Sequence, residues 1–179
     1  PIQLVMDMLE KIPLEFWKNI RRVFEPCCGK GNFVMKIFEK FYIGLEELYP
    51  DKSERCKIII TKCLYFTDIT NFITTEILKC EIQHRTGIKE INYEFNSNIG
   101  DTLILNIKET WRVNGFDAVI GNPPYNNSSG TGGSKKLWDK FVDYSIDKCI
   151  NKNGYLLFIH PPNWRKPENK ILHKFKKYN

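Results

Sequence analysis

Nothing in this 179-residue chain approaches the length of a membrane-spanning apolar run, and no signal-peptide pattern stands at its start. A soluble protein is therefore expected. The cysteines at positions 27, 28, 56, 63, 80 and 149 form no C-x-x-C pair. Cys27 and Cys28 are adjacent, a poor geometry for an ordinary bridge, so the expectation is reduced, mostly buried thiols in an intracellular, cytoplasmic protein. Cys80 and His84 stand four apart and could share one helical face as half a metal site. No convincing second pair completes it, and no metal is expected. Phosphate-cradling signatures are missing too. No G-x-x-x-x-G-K-[ST] run occurs, and Gly29 and Gly31 are followed by Val34 where a dinucleotide fingerprint wants a third glycine. Internal repeats are absent.

What is present is ordinary in bulk. Hydrophobic residues make up 42% and charged residues 27%, and the length suits one domain. The chain opens on Pro1 rather than methionine, which reads as a trimmed or partial piece of something longer. Its net charge of +6 suggests an anionic partner, although excess lysine also occurs on plain solvated surfaces. The cations concentrate in Lys135-Lys136 and in a tail that runs from Arg165-Lys166 through Lys170 and Lys174 to Lys176-Lys177.

Apolar residues at Ile2, Val5, Met6, Leu9 and Ile12 keep helical spacing and predict an amphipathic helix. A short strand over 22–25 runs into Pro26-Cys27-Cys28-Gly29-Lys30-Gly31, and a helix over 32–41 leaves that turn. A second strand is predicted over 42–46, a helix start at Pro50-Asp51-Lys52-Ser53, and mostly helix over 54–86. Further strands are predicted within 91–99, over 116–121 and over 155–160, with a helix over 135–151 and a basic helix from near Pro167. Alternating strands and helices imply an α/β fold, a doubly wound, mostly parallel, Rossmann-like sheet. Such sheets bind ligands beyond the carboxyl ends of their strands, where the strand order switches. Glu25, Glu46, Asp101 and Asn122 all fall at predicted strand ends, so a single crevice would collect them.

The most distinctive segment is Asn122-Pro123-Pro124-Tyr125, directly after the apolar run Phe116-Asp117-Ala118-Val119-Ile120-Gly121. It offers a carboxamide acceptor, carbonyls fixed by prolines that lack N–H, and a flat aromatic face. Those parts suit holding an exocyclic amino group while its ring stacks on the tyrosine. Gly29 and Gly31 let the backbone approach a ligand beside a helix N-terminus. Glu25, just before that turn, would repel a pyrophosphate but suit a cationic or amine-bearing ligand. An acid at the end of the second predicted strand, Glu46, would accept hydrogen bonds from ribose hydroxyls. The stretch Ser128-Ser129-Gly130-Thr131-Gly132-Gly133-Ser134 reads equally as a floppy loop and as one that orders over substrate.

Taken together these residues resemble the S-adenosylmethionine-dependent adenine-N6 DNA methyltransferases of the gamma type, the methylases of restriction-modification systems. Phe24-Glu25-Pro26-Cys27-Cys28-Gly29-Lys30-Gly31-Asn32-Phe33 looks like the family's acid-Pro-x-x-Gly-x-Gly-x-Phe cofactor loop. Gly44-Leu45-Glu46 matches its ribose-binding acid and Gly100-Asp101 the acid that binds the cofactor's adenine amino group. Leu137-Trp138-Asp139-Lys140-Phe141 resembles the segment whose phenylalanine packs on cofactor adenine, and Pro1-Ile2-Gln3-Leu4-Val5 the end of an N-terminal cofactor motif. Gly154 to Trp164 is similar to a strand-five motif ending in Pro-x-x-Trp. The resemblance implies S-adenosylmethionine as cofactor, held by Glu25, Pro26, Gly29, Gly31, Glu46, Asp101 and Phe141. It implies duplex DNA with a flipped adenine as partner, and Asn122, Pro123, Pro124 and Tyr125 as the catalytic segment. Asn122 and the Pro123 carbonyl would accept the two N6 hydrogens, with Tyr125 stacked on the extruded base. No covalent intermediate is needed, so the cysteines carry no catalytic role.

The sequence also departs from that pattern. Further strands and a target-recognition domain are expected after the fifth strand, whereas the chain stops at Asn179, so a further domain or subunit would complete the site. Glu47 stands where relatives place an apolar residue over the cofactor adenine, and residues 54–98 are long enough to hold an insertion. Asn-Pro-Pro-Tyr also serves methylation of a protein glutamine amide or of RNA amino groups, and a non-catalytic subunit of the same fold is a further alternative. The basic tail and Gly/Ser loop lean towards DNA.

Overall fold

The computed structural model describes residues 2–70, 73–126 and 137–178. Pro1, the Ser128–Ser134 loop and Lys135-Lys136 lie outside the described residues. In chain order the elements are α1 (Ile2–Leu9), α2 (Leu14–Trp17), β1 (Val23–Glu25), α3 (Asn32–Gly44), α4 (Lys52–Ile58), β2 (Leu64–Asp68), α5 (Ile73–Thr86), β3 (Asn96–Ile99), α6 (Ile107–Trp111), β4 (Phe116–Gly121), α7 (Trp138–Tyr144), β5 (Ile150–Phe158) and α8 (Lys170–Tyr178). The strands form one sheet in the order β3-β2-β1-β4-β5, every pairing parallel. The chain thus winds outward from β1 in one direction and from β4 in the other, and the switch lies between them.

Both faces of the sheet are covered, so its central strands are apolar on both sides rather than alternating with polar residues. Val23, Leu64, Phe66, Ala118 and Ile120 turn to one face, against α1, α2, α3 and α5. Phe24, Tyr65 and Val119 turn to the other, where Phe24 stacks on Phe116 at 4.8 Å between ring centres and Trp111 of α6 closes the cluster. Gly44 allows the tightest helix contact. A Cβ there would lie 2.3 Å from the Trp17 carbonyl oxygen, so only glycine lets α3 settle on α2. Among the described residues no helix is long and apolar enough to cross a membrane, and no group of His, Cys, Asp and Glu side chains is placed to hold a metal ion.

Three predicted elements differ from the structure. The strand expected over 42–46 is the last turn of α3 and its exit, because the buried positions Phe33, Val34, Ile37, Phe38, Phe41 and Leu45 keep helical spacing straight through it. The true second strand lies inside the stretch expected to be helical. Leu64-Tyr65-Phe66-Thr67 is a continuous buried run that ends at the half-buried Asp68, the pattern of a central parallel strand. Helices α4 and α7 each pass through one wide helical turn, Ile59–Cys63 and Ser145–Cys149, directly into β2 and β5. Strand β5 also begins earlier than the predicted 155–160. Phe116 pairs with Ile150 but Ala118 with Tyr155, and Asn153 absorbs the extra residues at φ 65°.

Candidate active site

Beyond the carboxyl ends of the strands lies a cleft of about 410 Å³. Pro26 and Cys27 enter it from the loop after β1, Asp68 and Ile69 from the end of β2, and Asp101 and Leu103 from the turn after β3. Pro124 comes from the segment after β4, and Phe141 from α7. Three further clefts of similar size, about 460, 470 and 440 Å³, lie beside α8, at the amino ends of β4 and β5, and between the segment 103–108 and Tyr144.

The loop after β1 is shaped by its glycines. Gly29 sits at φ 51° with nothing within 4 Å of where a Cβ would stand, so its backbone is open to a ligand. Gly31, at φ 80°, is the N-cap of α3, and a Cβ on it would meet the Thr74 side chain at 2.9 Å. Thr74 donates to the Gly29 carbonyl at 3.1 Å, so the first turn of α5 braces the loop from behind.

Glu25, the last residue of β1, is buried, and its Oε2 has no hydrogen-bond partner. Burial raises its carboxyl well above the ordinary range. The Val34 amide opposes that shift and the nearby Asp68 charge adds to it. An orphaned carboxylate oxygen beneath an open glycine loop fits a ligand with a cationic end. Both neighbouring thiols stay protonated. Burial, with Glu25 and Asp68, pushes Cys27 far up, and burial raises Cys28 to about 12.

Asp101 is exposed on the rim and caps the turn Thr102–Ile104 by accepting from the Leu103 amide at 3.0 Å. Phe141 is buried in the cleft wall. Asn122 lies exposed just past β4, Pro123 is buried, and Pro124 lines the cleft. Tyr125 keeps 40% of its surface free, and its carbonyl accepts from the Leu137 amide at 3.0 Å, tying this segment to the start of α7. The ends of β1 and β4 touch, since a Cβ on Gly121 would lie 3.4 Å from Pro26 and 3.5 Å from Glu25.

Of the residues singled out from sequence, Glu46 does not join the others. It follows the C-terminus of α3, about 20 Å along the helix from the glycine turn. There it lies 3.1 Å from Arg55, with 69% of its side chain in solvent. The acid at the end of the real β2 is Asp68, which the sequence reading passed over. Its Oδ2 accepts from the Gly29 amide at 2.7 Å and its Oδ1 from the Thr70 amide at 3.1 Å. The signal that could have found it was an aromatic, β-branched run closed by an acid, Leu64-Tyr65-Phe66-Thr67-Asp68. Ile69 follows it into the cleft with 68% of its surface exposed, a free apolar face beside the carboxylate.

Residues 52–179 match the Eco57I restriction-modification methylase family. An uncharacterised adenine-specific methylase of Mycoplasma pneumoniae is 25% identical over an alignment of 232 positions, which covers 92% of this chain and 54% of that protein. Two solved structures share the fold. A modification subunit assigned to a type I restriction enzyme of Vibrio vulnificus superposes with a TM-score of 0.62 at 15% identity, over 99% of this chain and 37% of that one. A protein of Listeria monocytogenes described as a class I S-adenosylmethionine-dependent methyltransferase gives 0.59 at 16% identity, over 99% and 50%. The chain thus spans about half the length of the curated relative it matches.

Proposed function

Because the chain belongs to the Eco57I restriction-modification methylase family, we propose that residues 1–179 are the catalytic core of an adenine-specific DNA methyltransferase. On this reading it methylates N6 of an adenine turned out of duplex DNA, and target recognition rests with a further domain or partner subunit. The observation that carries the reading is convergence. The open glycine loop of β1, acids from the ends of β2 and β3, and the Asn-Pro-Pro-Tyr segment of β4 meet around the switch point.

S-adenosylmethionine, when bound, supplies an electrophilic methyl group on a positively charged sulfur. Gly29 admits the ligand close to the backbone at the start of α3. Asp68 takes the part expected of Glu46: its Oδ2 keeps a lone pair free for a ribose hydroxyl after accepting from Gly29, while Oδ1 is taken up by the Thr70 amide and hydroxyl. Asp101 accepts from the exocyclic amine of the cofactor's adenine, with Phe141 as apolar wall. Asn122 and the Pro123 carbonyl accept the two hydrogens of the substrate amino group. That draws the nitrogen towards a tetrahedral form and returns its lone pair from the ring. Tyr125 stacks on the base, a contact worth ~1–3 kcal/mol in nucleic-acid sites. Catalysis is then mainly positioning and electrostatics, with no covalent intermediate on the protein.

A transfer assay with tritium-labelled S-adenosylmethionine tests this, offering duplex DNA, RNA and a release factor side by side. Label on N6 of adenine in DNA is the expected result. Labelled protein or RNA with blank DNA would overturn the choice of substrate.

A further inference from the structure

Two threonines, one on β2 and one in the turn after β3, meet on one carbonyl beneath the cleft. Thr67 of β2 lies 2.8 Å from the Pro26 carbonyl oxygen, and Thr102, just after β3, lies 2.6 Å from it. Their hydroxyls are 2.7 Å from each other. Both side chains are almost wholly buried, at 0% and 3% exposure. Two hydroxyl hydrogens thus serve three short contacts, so whichever hydroxyl does not donate to Pro26 at a given moment can donate to the other. Pro26 stands just past the last residue of β1, beyond the pairings of the sheet, and these hydroxyls satisfy its buried carbonyl. Valine would fill the same space at either position, so the use of threonine in a dry site points to the hydrogen bonds.

Each threonine is the chain neighbour of one of the cleft's two acids, Thr67 of Asp68 and Thr102 of Asp101. The Thr67 carbonyl accepts from the Cys28 amide at 2.8 Å, and the Asp68 carbonyl from the Gly100 amide at 3.0 Å. The separation of both carboxylates from the glycine loop is therefore referred to a single atom, the Pro26 oxygen. Resting on the cofactor-site reading above, we propose that Thr67 and Thr102 form a buried hydroxyl clasp. The clasp positions Asp68 and Asp101 against the Pro26–Gly31 loop so that both ends of a nucleoside ligand are met at once. They are positioning residues: Thr102 lines the cleft, but both hydroxyls are spent on the Pro26 carbonyl and on each other. Either hydroxyl alone still satisfies Pro26, so loss of both is needed to free the loop.

The test compares Thr67→Val/Thr102→Val with Thr67→Ser/Thr102→Ser in the full chain, well below the melting temperature. By calorimetry the valine pair weakens S-adenosylmethionine binding about tenfold or more, the cost of one unmet buried acceptor, while the serine pair stays within about twofold of the parent. Amide hydrogen exchange without ligand is read in parallel. The Cys28, Gly29 and Leu103 amides, each bonded within this cluster, exchange faster in the valine pair and as in the parent in the serine pair. The Phe38 amide, inside α3, is unchanged in both. Unchanged exchange at the three loop amides, or failure of serine to restore them, refutes the clasp. Should the parent bind no S-adenosylmethionine, the cofactor reading fails, and the exchange data still decide whether the clasp holds the loop.

Discussion

Replacing Asp68 and Glu46 separately by alanine should divide cofactor binding from fold stability. Asp68 holds the Gly29 amide at 2.7 Å with an ionised acceptor, a bond worth ~1.5–3 kcal/mol, and it lines the cleft. Asp68→Ala therefore weakens S-adenosylmethionine about 10- to 150-fold. Glu46 neutralises Arg55, whose side chain is 1% exposed, but 69% of Glu46 lies in water, so the pair is worth only about 1 kcal/mol. Arg55 Nη1 is close to Glu46 at 3.1 Å without a well-aligned N–H, and the guanidinium also rests 4.3 Å from the centre of the Tyr42 ring, which Glu46→Ala leaves in place. Glu46→Ala should thus lower the melting temperature by about 2–4 °C. Cofactor affinity should stay within about twofold of the parent, because the residue lies about 20 Å along α3 from the loop. Titration calorimetry and thermal melts on the same preparations separate the outcomes. Equal loss of cofactor affinity in both variants would show that the assignment of the β2 acid is wrong.

Tyr125→Ala should reduce DNA methylation about 5- to 150-fold through lost stacking, with S-adenosylmethionine affinity unchanged, as read by steady-state kinetics beside calorimetry. Glu25→Gln should stabilise the ligand-free fold increasingly as pH rises above the ordinary carboxylate range. The folded parent holds its proton to higher pH than the unfolded chain does, so its stability falls as pH climbs towards the raised pKa, and the neutral amide avoids that loss. Melts from pH 4 to 8 check the sign, and a constant difference across the range would contradict it. Gly31→Ala forces a Cβ to 2.9 Å from Thr74 at φ 80°, at a cost of about 2–3 kcal/mol, or about 4–12 °C in melting temperature.

Much of the site was legible because its chemistry is local. Glycines at positive φ before a helix, and an amide with two prolines after an apolar run, carry their conformational meaning within a few residues. The loop after β1, the strand before Asn122 and the acid after β3 could therefore be placed from the chain alone. The second strand could not, because a short apolar stretch is compatible with either period. Ile43 and Leu45 read as strand, while the helical spacing from Phe33 to Leu45 carries Ile43 in the last turn of α3 and Leu45 at its C-cap. Residues 64–68 become a strand by pairing with β1 and β3 on both sides.

The sequence by itself determined a doubly wound α/β chain with a glycine loop and an Asn-Pro-Pro-Tyr segment at its strand ends. Tertiary structure decided which acids share the cleft with them: Asp68 enters and Glu46 leaves. It also decided that Thr67 and Thr102 close on Pro26 across separations of 41 and 76 residues. The physical reason is that backbone preferences act over a few residues, whereas strand order and buried hydrogen bonds join segments whose distance in the chain carries no local mark.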